Sequence, residues 1–336
     1  MKASSIKSEL ESYACTVNEF ILRSLEGKPK ELYQASSHLI RTGGKRLRPF
    51  MVIKSCEMLG GSVKRALPAA AAVELVHNFT LVHDDIMDND EMRHGTSTVH
   101  RYYGMPLAIL AGDILFSKSF QLITFNGRKV GIPESDITSM VAQLSRACTE
   151  ICEGQATDIG YASSSKFPTV QQYIDMIGKK TAALFQVCCA LGALSAQNHT
   201  PRDIQNLSSF GRNIGISFQL VDDLIGVTGD PKLTGKAAGN DIREGKKTYP
   251  ILLALNSTKG EKRDKVLKIF GARDRSSSSD IKEAVRVISD IGIDREVRNE
   301  ARKYMNDALK AIEGYGDSDA RRSLQFSADF VVGRSL

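Results

Sequence analysis

The chain has 336 residues, 42% of them hydrophobic and 25% charged, which is the balance of a soluble globular protein with material for a sizeable core. Lys and Arg number 45 against 39 Asp and Glu, a scattered excess of +6. No basic run is interleaved with aromatics, which argues against a nucleic-acid partner. Aromatics make up 7% and Trp is absent, so the core must be mostly aliphatic, as suits helices packed on helices.

In chain order, Met1–Leu10 is polar and helix-like and does not read as a signal peptide. Apolar residues recur at helical spacing almost throughout, and alternating strand patterns are scarce. The periodicity predicts helices at roughly 4–25, 29–41, 48–59, 65–88, 105–125, 134–161, 169–195, 202–226, 247–256, 280–291 and 294–314. Pro49, Pro68, Pro106, Pro133, Pro168, Pro201, Pro231 and Pro250 fall at or near predicted helix starts or in loops. Only 226–246 and 271–280 read as extended loops, the second holding the solvated run Ser276–Ser279. The apolar stretch near Ala66–Val82 is interrupted by Glu74, His77 and Asn78, so no transmembrane segment is expected. With no repeat and no linker, residues 1–336 read as a single all-α domain. Cys15, Cys56, Cys148, Cys152, Cys188 and Cys189 have no disulfide-framework spacing, and reduced thiols point to a cytoplasmic protein.

Two acidic clusters carry the chemistry. His83-Asp84-Asp85-Ile86-Met87-Asp88 closes a strongly apolar helix, and Asp84 and Asp88, four apart, project from one face. Like charges there are unfavourable unless a cation neutralises them; Mg²⁺ suits hard oxygen ligands, with phosphates completing its shell. Phe218-Gln219-Leu220-Val221-Asp222-Asp223 repeats the design, with Asp230 eight residues after Asp222. At a helix C-terminus the negative pole of the dipole makes unneutralised acids costlier still. Both acidic ends are expected to serve the same cations.

Basic groups complement them. Gly43-Gly44-Lys45-Arg46-Leu47-Arg48-Pro49 places Lys45 and Arg48 beside glycines that let a phosphate approach the backbone, without the strand and ending of a P-loop. Arg93 follows the first cluster, Lys180-Thr181 opens an apolar run, and Lys236 and Asp241-Ile242-Arg243-Glu244-Gly245-Lys246-Lys247-Thr248 follow the second.

From about Leu39 to Pro250 these motifs resemble the trans-type polyprenyl diphosphate synthases of the isoprenoid synthase fold, a single helical bundle around a central apolar cavity. The likeness is strongest to archaeal-type geranylgeranyl diphosphate synthases, over Val73–Val99 and Pro106–Asp113. The resemblance implies Mg-dependent head-to-tail condensation of isopentenyl diphosphate with allylic diphosphates, most simply a geranylgeranyl diphosphate synthase, with a farnesyl or longer-chain enzyme as the alternative. It implies that Asp84, Asp88 and Asp222 ligate three Mg²⁺, supported by Asp85 and Asp223. Arg93, Lys180, Lys236 and Lys246 would hold the allylic diphosphate. Lys45, Arg48 and His77 would hold isopentenyl diphosphate. Thr181 and Gln219 would stabilise the allylic cation, with Gln155 and Asp158 supporting the site. It also implies a homodimer. Two positions depart from the pattern: His94 replaces a second arginine of the isopentenyl diphosphate grip, and Gly226 replaces the final Asp of the second cluster.

Phe79, five residues before Asp84, lies about 7.5 Å down the helix axis and is expected to stop the growing chain, since an isoprene unit is roughly as long as one 5.4 Å turn. Glu74-x-x-His77 and Glu91-x-x-His94 also match a di-iron helical-bundle pattern, the remote alternative. A terpene cyclase or head-to-head condensing enzyme would not need Lys45, Arg48 and His77.

Overall fold

A computed structural model describes residues 3–228, 239–272 and 277–333. Among these residues the only strands are Met92–Arg93 (β1) and Thr96–Ser97 (β2), a minimal antiparallel hairpin; the rest of the regular structure is helical. The helices are α1 Ala3–Ser24, α2 Lys30–Arg41, α3 Leu47–Met58, α4 Val63–Met87, α5 Val99–Tyr103 and α6 Met105–Gln121. A π-helical turn, Leu122–Asn126, carries α6 into α7 Gly127–Lys129. Then come α8 Glu134–Ser163 and α9 Val170–Ile177, and a second π-helical turn, Gly178–Ala182, leads into α10 Ala183–Ser195 and α11 Pro201–Thr228. Last are α12 Asn240–Glu244, α13 Tyr249–Ser257, α14 Glu261–Ile269, α15 Ser278–Asp290, α16 Ile293–Ala311 and α17 Asp319–Val332.

The chain divides into two compact units. The first comprises Met1–Cys148, Gln186–Ser208 and Gly314–Ser327; the second comprises Thr149–Phe185, Ser209–Glu313 and Ala328–Leu336. In the first unit α4 is the central helix, packed by α1, α3 and α6. Its middle is buried on all sides, and Ala69, Ala70, Ala71 and Ala72 are fully buried. Their small side chains let neighbouring helices come close, and Phe50, Ile53, Leu75, Leu115 and Met140 fill the remaining volume. The second unit has its own aliphatic core, including Ile177, Ile216, Leu220, Leu224, Ile251, Leu252, Ile288 and Val297. The absence of Trp is thus matched by Leu, Ile and Val filling both cores.

The eleven expected helices are present with small shifts at their ends, and the runs near 105–125 and 169–195 are each broken by a π-helical turn. Periodicity missed the hairpin and α5, α7, α12, α14 and α17. Highly charged α14 buries only Val266 and Ile269. In α17 the inward positions include Ser323 and Ser327, which hides the apolar stripe. Ser323 Oγ donates to Glu9 Oε2 at 3.0 Å, and Glu9 also pairs with the buried Lys54, which fastens α1 and α17 to α3 by polar contacts that periodicity does not register. Two helical stretches other than Ala66–Val82, Met105–Lys129 and Val170–Ser195, are long and apolar enough to cross a bilayer. The second is mostly buried, whereas the first exposes Ile109, Leu110 and Phe125 together with Asp113.

Close approach of α10 to α3 depends on Gly192, where a Cβ would lie 2.4 Å from the carbonyl oxygen of Val52 and 2.6 Å from Ser55 Cβ. Neither contact can yield without moving backbone. Gly192→Ala is expected to destabilise the protein by about 1–3 kcal/mol through overpacking, read as a lower urea midpoint with an unchanged slope.

Candidate active site

The first unit carries the loop 43–46, α3, α4 and the hairpin. Gly43 and Gly44 have φ of +96° and +134°, and Arg46 sits in the left-handed region at +49°. A branchless backbone and one strained residue thus turn the chain so that Lys45 is exposed while Arg46 is buried. The Arg46 guanidinium donates to Glu74 Oε1 at 2.9 Å, Asn18 Oδ1 at 2.7 Å and Ile40 O at 2.8 Å. Asn78 Nδ2 donates to the same Glu74 oxygen at 3.1 Å. These contacts fix the loop to α1, α2 and α4. Burial raises the Glu74 carboxyl and Arg46 pulls it back down. Arg46 is a site residue that sequence reading passed over; the signal was Glu74, an acid inside an otherwise apolar helix.

Arg48 Nη1 lies 3.2 Å from His77 Nε2. Burial first, then the charge of Arg48, drives the His77 pKa well below its ordinary value, so His77 is neutral and accepts that proton. The three residues expected to grip one diphosphate therefore share one locality in the case of Arg48 and His77, with Lys45 two residues before α3 begins.

At the end of α4 the acids divide by environment. Asp84 is half-buried and Asp88, the C-capping residue, is exposed, while Asp85 is fully buried. Burial raises the Asp85 carboxyl, and Arg93 opposes that shift through Nε, which donates to Asp85 Oδ1 at 2.6 Å. Asp85 Oδ2 is buried without a hydrogen-bond partner in the protein. The hairpin exists to fold Arg93 back: Met92 pairs with Ser97 and Arg93 with Thr96. Its two turn residues, His94 and Gly95, have φ of +50° and +78°, the positive values that a two-residue primed turn requires. His94 is therefore an exposed turn residue at the hairpin tip.

The iron alternative meets an obstacle here. Glu74 is engaged by Arg46 and Asn78, and Glu91 pairs with Arg101 at 2.8 Å, so neither acid is matched with its histidine as a ligand set.

Below Asp84, the Phe79 ring meets His83 edge-on with centroids 4.7 Å apart and Phe116 at 5.2 Å; Phe116 in turn meets Phe120 at 5.1 Å. Phe79, expected to act alone as the stop, is one member of an aromatic cluster drawn from α4 and α6. Gly112 makes space for it, because a Cβ there would lie 2.2 Å from His83 Nε2.

The second unit holds the other predicted residues except Lys236, which lies outside the described residues, as does Asp230. Lys180 and Thr181 occupy the π-helical turn, a widened turn of the kind that re-aims side chains. Lys180 Nζ donates to Asp158 Oδ2 at 2.6 Å. Thr181 Oγ1 donates to Gln219 Oε1 at 2.8 Å, and Gln219 Nε2 donates to Asp223 Oδ1 at 2.9 Å. Tyr173 OH completes the chain by donating to Asp223 Oδ2 at 2.6 Å. Gln155 Oε1 is buried without a hydrogen-bond partner in the protein. Lys246 Nζ pairs with Glu244 at 2.9 Å.

Two glycines make this packing possible. A Cβ on Gly154 would lie 2.3 Å from the Lys180 backbone nitrogen, and one on Gly215 would lie 2.6 Å from Ala182 Cα. Helices α8 and α11 thus rest directly on the turn that bears Lys180 and Thr181. Gly154 and Tyr173 were not legible as site residues, since each reads locally as part of a helix.

The two acid pairs share one plan: Asp222 is exposed and Asp223 buried, as Asp84 and Asp85 are half-exposed and buried. Burial pushes the Asp223 carboxyl up to about 8, against the lowering effect of the Tyr173 and Gln219 hydrogen bonds. Among the described residues no three His, Cys, Asp or Glu side chains are grouped so as to hold a metal ion.

An all-α chain ending two apolar helices in such acid pairs has the organisation of the isoprenoid synthase fold. The Polyprenyl synthetase family profile matches residues 29–288. The geranylgeranyl diphosphate synthase of Sulfolobus acidocaldarius is 40% identical over 321 residues, covering 95% of this chain and 96% of that one. The crystal structure of geranylgeranyl pyrophosphate synthetase from Pyrococcus horikoshii superposes with a TM-score of 0.91 at 37% identity, over 99% of both chains. That of a polyprenyl synthase from Caulobacter crescentus, complexed with calcium and isoprenyl diphosphate, gives 0.87 at 30% identity, over 100% of this chain and 98% of the other. The protein belongs to the polyprenyl synthetase family.

Tyr173→Phe removes a hydrogen bond that favours ionised Asp223. The Asp223 pKa is then expected to rise further above about 8, so the acid limb of the pH–rate profile should move to higher pH. The rate at neutral pH should fall about tenfold or more, the worth of a hydrogen bond to a charged group. A profile with an unshifted acid limb would show that Tyr173 does not act through Asp223.

Proposed function

We propose that the protein is a geranylgeranyl diphosphate synthase, which condenses isopentenyl diphosphate head to tail with allylic diphosphates. The paired design of exposed and buried aspartates at two apolar helix ends carries the reading, and the names of its relatives support it. In this reading Asp84, Asp88 and Asp222 hold Mg²⁺, three ions as the family resemblance implies; the calcium and isoprenyl diphosphate of the Caulobacter crescentus relative support a divalent cation alongside a diphosphate. Bound there, the ions neutralise negative charge as the allylic C–O bond ionises. Asp85 and Asp223 stay buried and keep their exposed neighbours at fixed positions.

Arg93, Lys180, Lys236 and Lys246 hold the allylic diphosphate. Lys180 and Arg93 have N–H groups beyond those given to Asp158 and Asp85, so each can bind phosphate while staying oriented by its carboxylate. Lys45, Arg48 and neutral His77 hold isopentenyl diphosphate. His94, exposed at its turn, takes the place of a second arginine at lower charge. Because Thr181 gives its proton to Gln219, the lone pairs of its oxygen stay available to the electron-poor allylic carbon. Gln155 supports the same locality. Apolar walls protect that carbon from water, and the departing diphosphate takes the proton released after the isopentenyl double bond attacks.

Both compact units form one catalytic domain in this reading, since the family match spans them. The protein is cytoplasmic, a location supported by six free cysteines, of which buried Cys189 is pushed up to about 12. It acts as a homodimer, and the exposed Met105, Ile109 and Leu110 on α6 supply an apolar face for a second copy. Leu110→Lys is expected to shift the mass measured by light scattering towards that of a single chain.

Incubation with Mg²⁺, isopentenyl diphosphate and each allylic starter, followed by chromatography of dephosphorylated products, tests the function directly; a product of farnesyl or longer length would replace geranylgeranyl in the proposal. Phe79→Ala opens the aromatic cluster and should lengthen the product by one or more isoprene units, whereas an unchanged distribution would remove Phe79 as the stop.

A further inference from the structure

Beside Lys246 stands Lys247, a cation outside the set assigned to the diphosphates. Its ammonium donates to three backbone carbonyls: Tyr161 O at 2.5 Å, Ser164 O at 2.6 Å and Lys166 O at 3.0 Å. An ammonium has three N–H groups, so this set engages all of them. The same nitrogen lies over the Phe167 ring, 5.3 Å from its centroid. Among the described residues its hydrogen bonds all go to the main chain. Lys247 is thus a tie between segments, with its donors already committed.

The carbonyls belong to the end of α8 and the residues just beyond it. Helix α8 closes at Ser163, where its last C=O groups lack helical partners and its dipole is negative. Lys247 brings a cation there from more than 80 positions along the chain, separations of 81 to 86. Three residues before Tyr161, on the same helix, Asp158 holds Lys180 Nζ at 2.6 Å. At the other end of the tie, Gly245, with φ of +78°, ends α12, and Lys246 N donates to Asp241 O at 2.9 Å, a contact local to α12. Lys247 adds the contact that carries this segment across to α8. A second route supports it: Phe167 meets Phe270 at 5.1 Å between centroids, and Gly271 N donates to Ile242 O at 2.9 Å.

We propose that Lys247 is a positioning residue: by fastening residues 245–248 to the end of α8, it sets where Lys246 meets the allylic diphosphate. One helix end then places two lysines, Lys180 through Asp158 and Lys246 through Lys247. Main-chain carbonyls suit this task better than a carboxylate, because they hold the segment without adding a full negative charge beside Lys246, which a diphosphate has to approach. The inference rests on the assignment of Lys180 and Lys246 to that diphosphate.

Steady-state kinetics of the full-length chain with Mg²⁺, isopentenyl diphosphate and an allylic diphosphate test it, with thermal melting as the check on folding. Lys247→Met keeps the stem and removes the three donors. Its KM for the allylic diphosphate is expected to rise about tenfold, the worth of a hydrogen bond to a charged group. Its kcat and its KM for isopentenyl diphosphate are expected to stay within about twofold, the mark of lost binding at one ligand only. Lys247→Arg, which keeps charge and donors, should bring the allylic KM back to within about threefold of the unsubstituted chain. Lys247→Gln, polar and one atom shorter, serves the same comparison if the methionine variant does not fold. Because Lys247 acts through its neighbour, adding Lys247→Met to Lys246→Met should raise the allylic KM no further. An unchanged allylic KM in Lys247→Met overturns the proposal, as do two KM values that rise together or effects that add in the double variant. If Lys246→Met leaves the allylic KM unchanged, the assignment of Lys246 fails and the proposal with it, while condensation by the unsubstituted chain still upholds the synthase reading; no condensation at all sinks both.

Discussion

Each acidic helix end depends on burying one carboxylate beside another that faces water. A buried carboxylate is costly unless hydrogen bonds or a countercharge compensate it. Asp85 has Arg93, brought back by a two-strand hairpin, and Asp223 has Tyr173 and Gln219. These contacts fix the helix end around the buried acid and so fix the direction of the exposed one. The exposed acids, Asp84 with Asp88 in one unit and Asp222 in the other, are left as hard oxygen donors at defined positions. Without the buried partners, repulsion at the negative pole of each helix would favour fraying of the last turn.

The same economy governs the cationic groups. Arg46 gives all of its observed hydrogen bonds to the protein, and its neighbours Lys45 and Arg48 inherit a fixed loop. Lys180 is oriented by Asp158, and its backbone is pressed against Gly154. In both places one group is given up to structure so that an adjacent one is held ready. Pre-organisation of this kind matters in a reaction whose main demand is stabilising charge where it develops.

The aromatic residues below Asp84 are held by a different interaction. Phe79 meets His83, and Phe116 meets Phe120, edge to face, while a tilted contact joins Phe79 to Phe116; edge-to-face pairs are worth more than area burial alone. Phe79 belongs to a cluster spanning two helices, so its position is set by the packing of α4 on α6 as well as by its spacing from Asp84.

The sequence by itself determined the all-helical class, the eleven main helices and both acidic motifs, because helical periodicity and the i,i+4 spacing of acids are local properties. It also exposed the Gly226 and His94 departures, since these are visible as letters within motifs. Only the tertiary structure decided which acid of each pair is buried, that Arg46 is committed to Glu74, and that Tyr173 reaches Asp223 across 50 positions of chain. It likewise decided that Gly154 and Gly192 are empty because something else occupies their side-chain volume. Those outcomes depend on contacts between segments distant in sequence, where burial sets the cost of a charge and the space for a Cβ, and neither quantity is encoded in a local pattern.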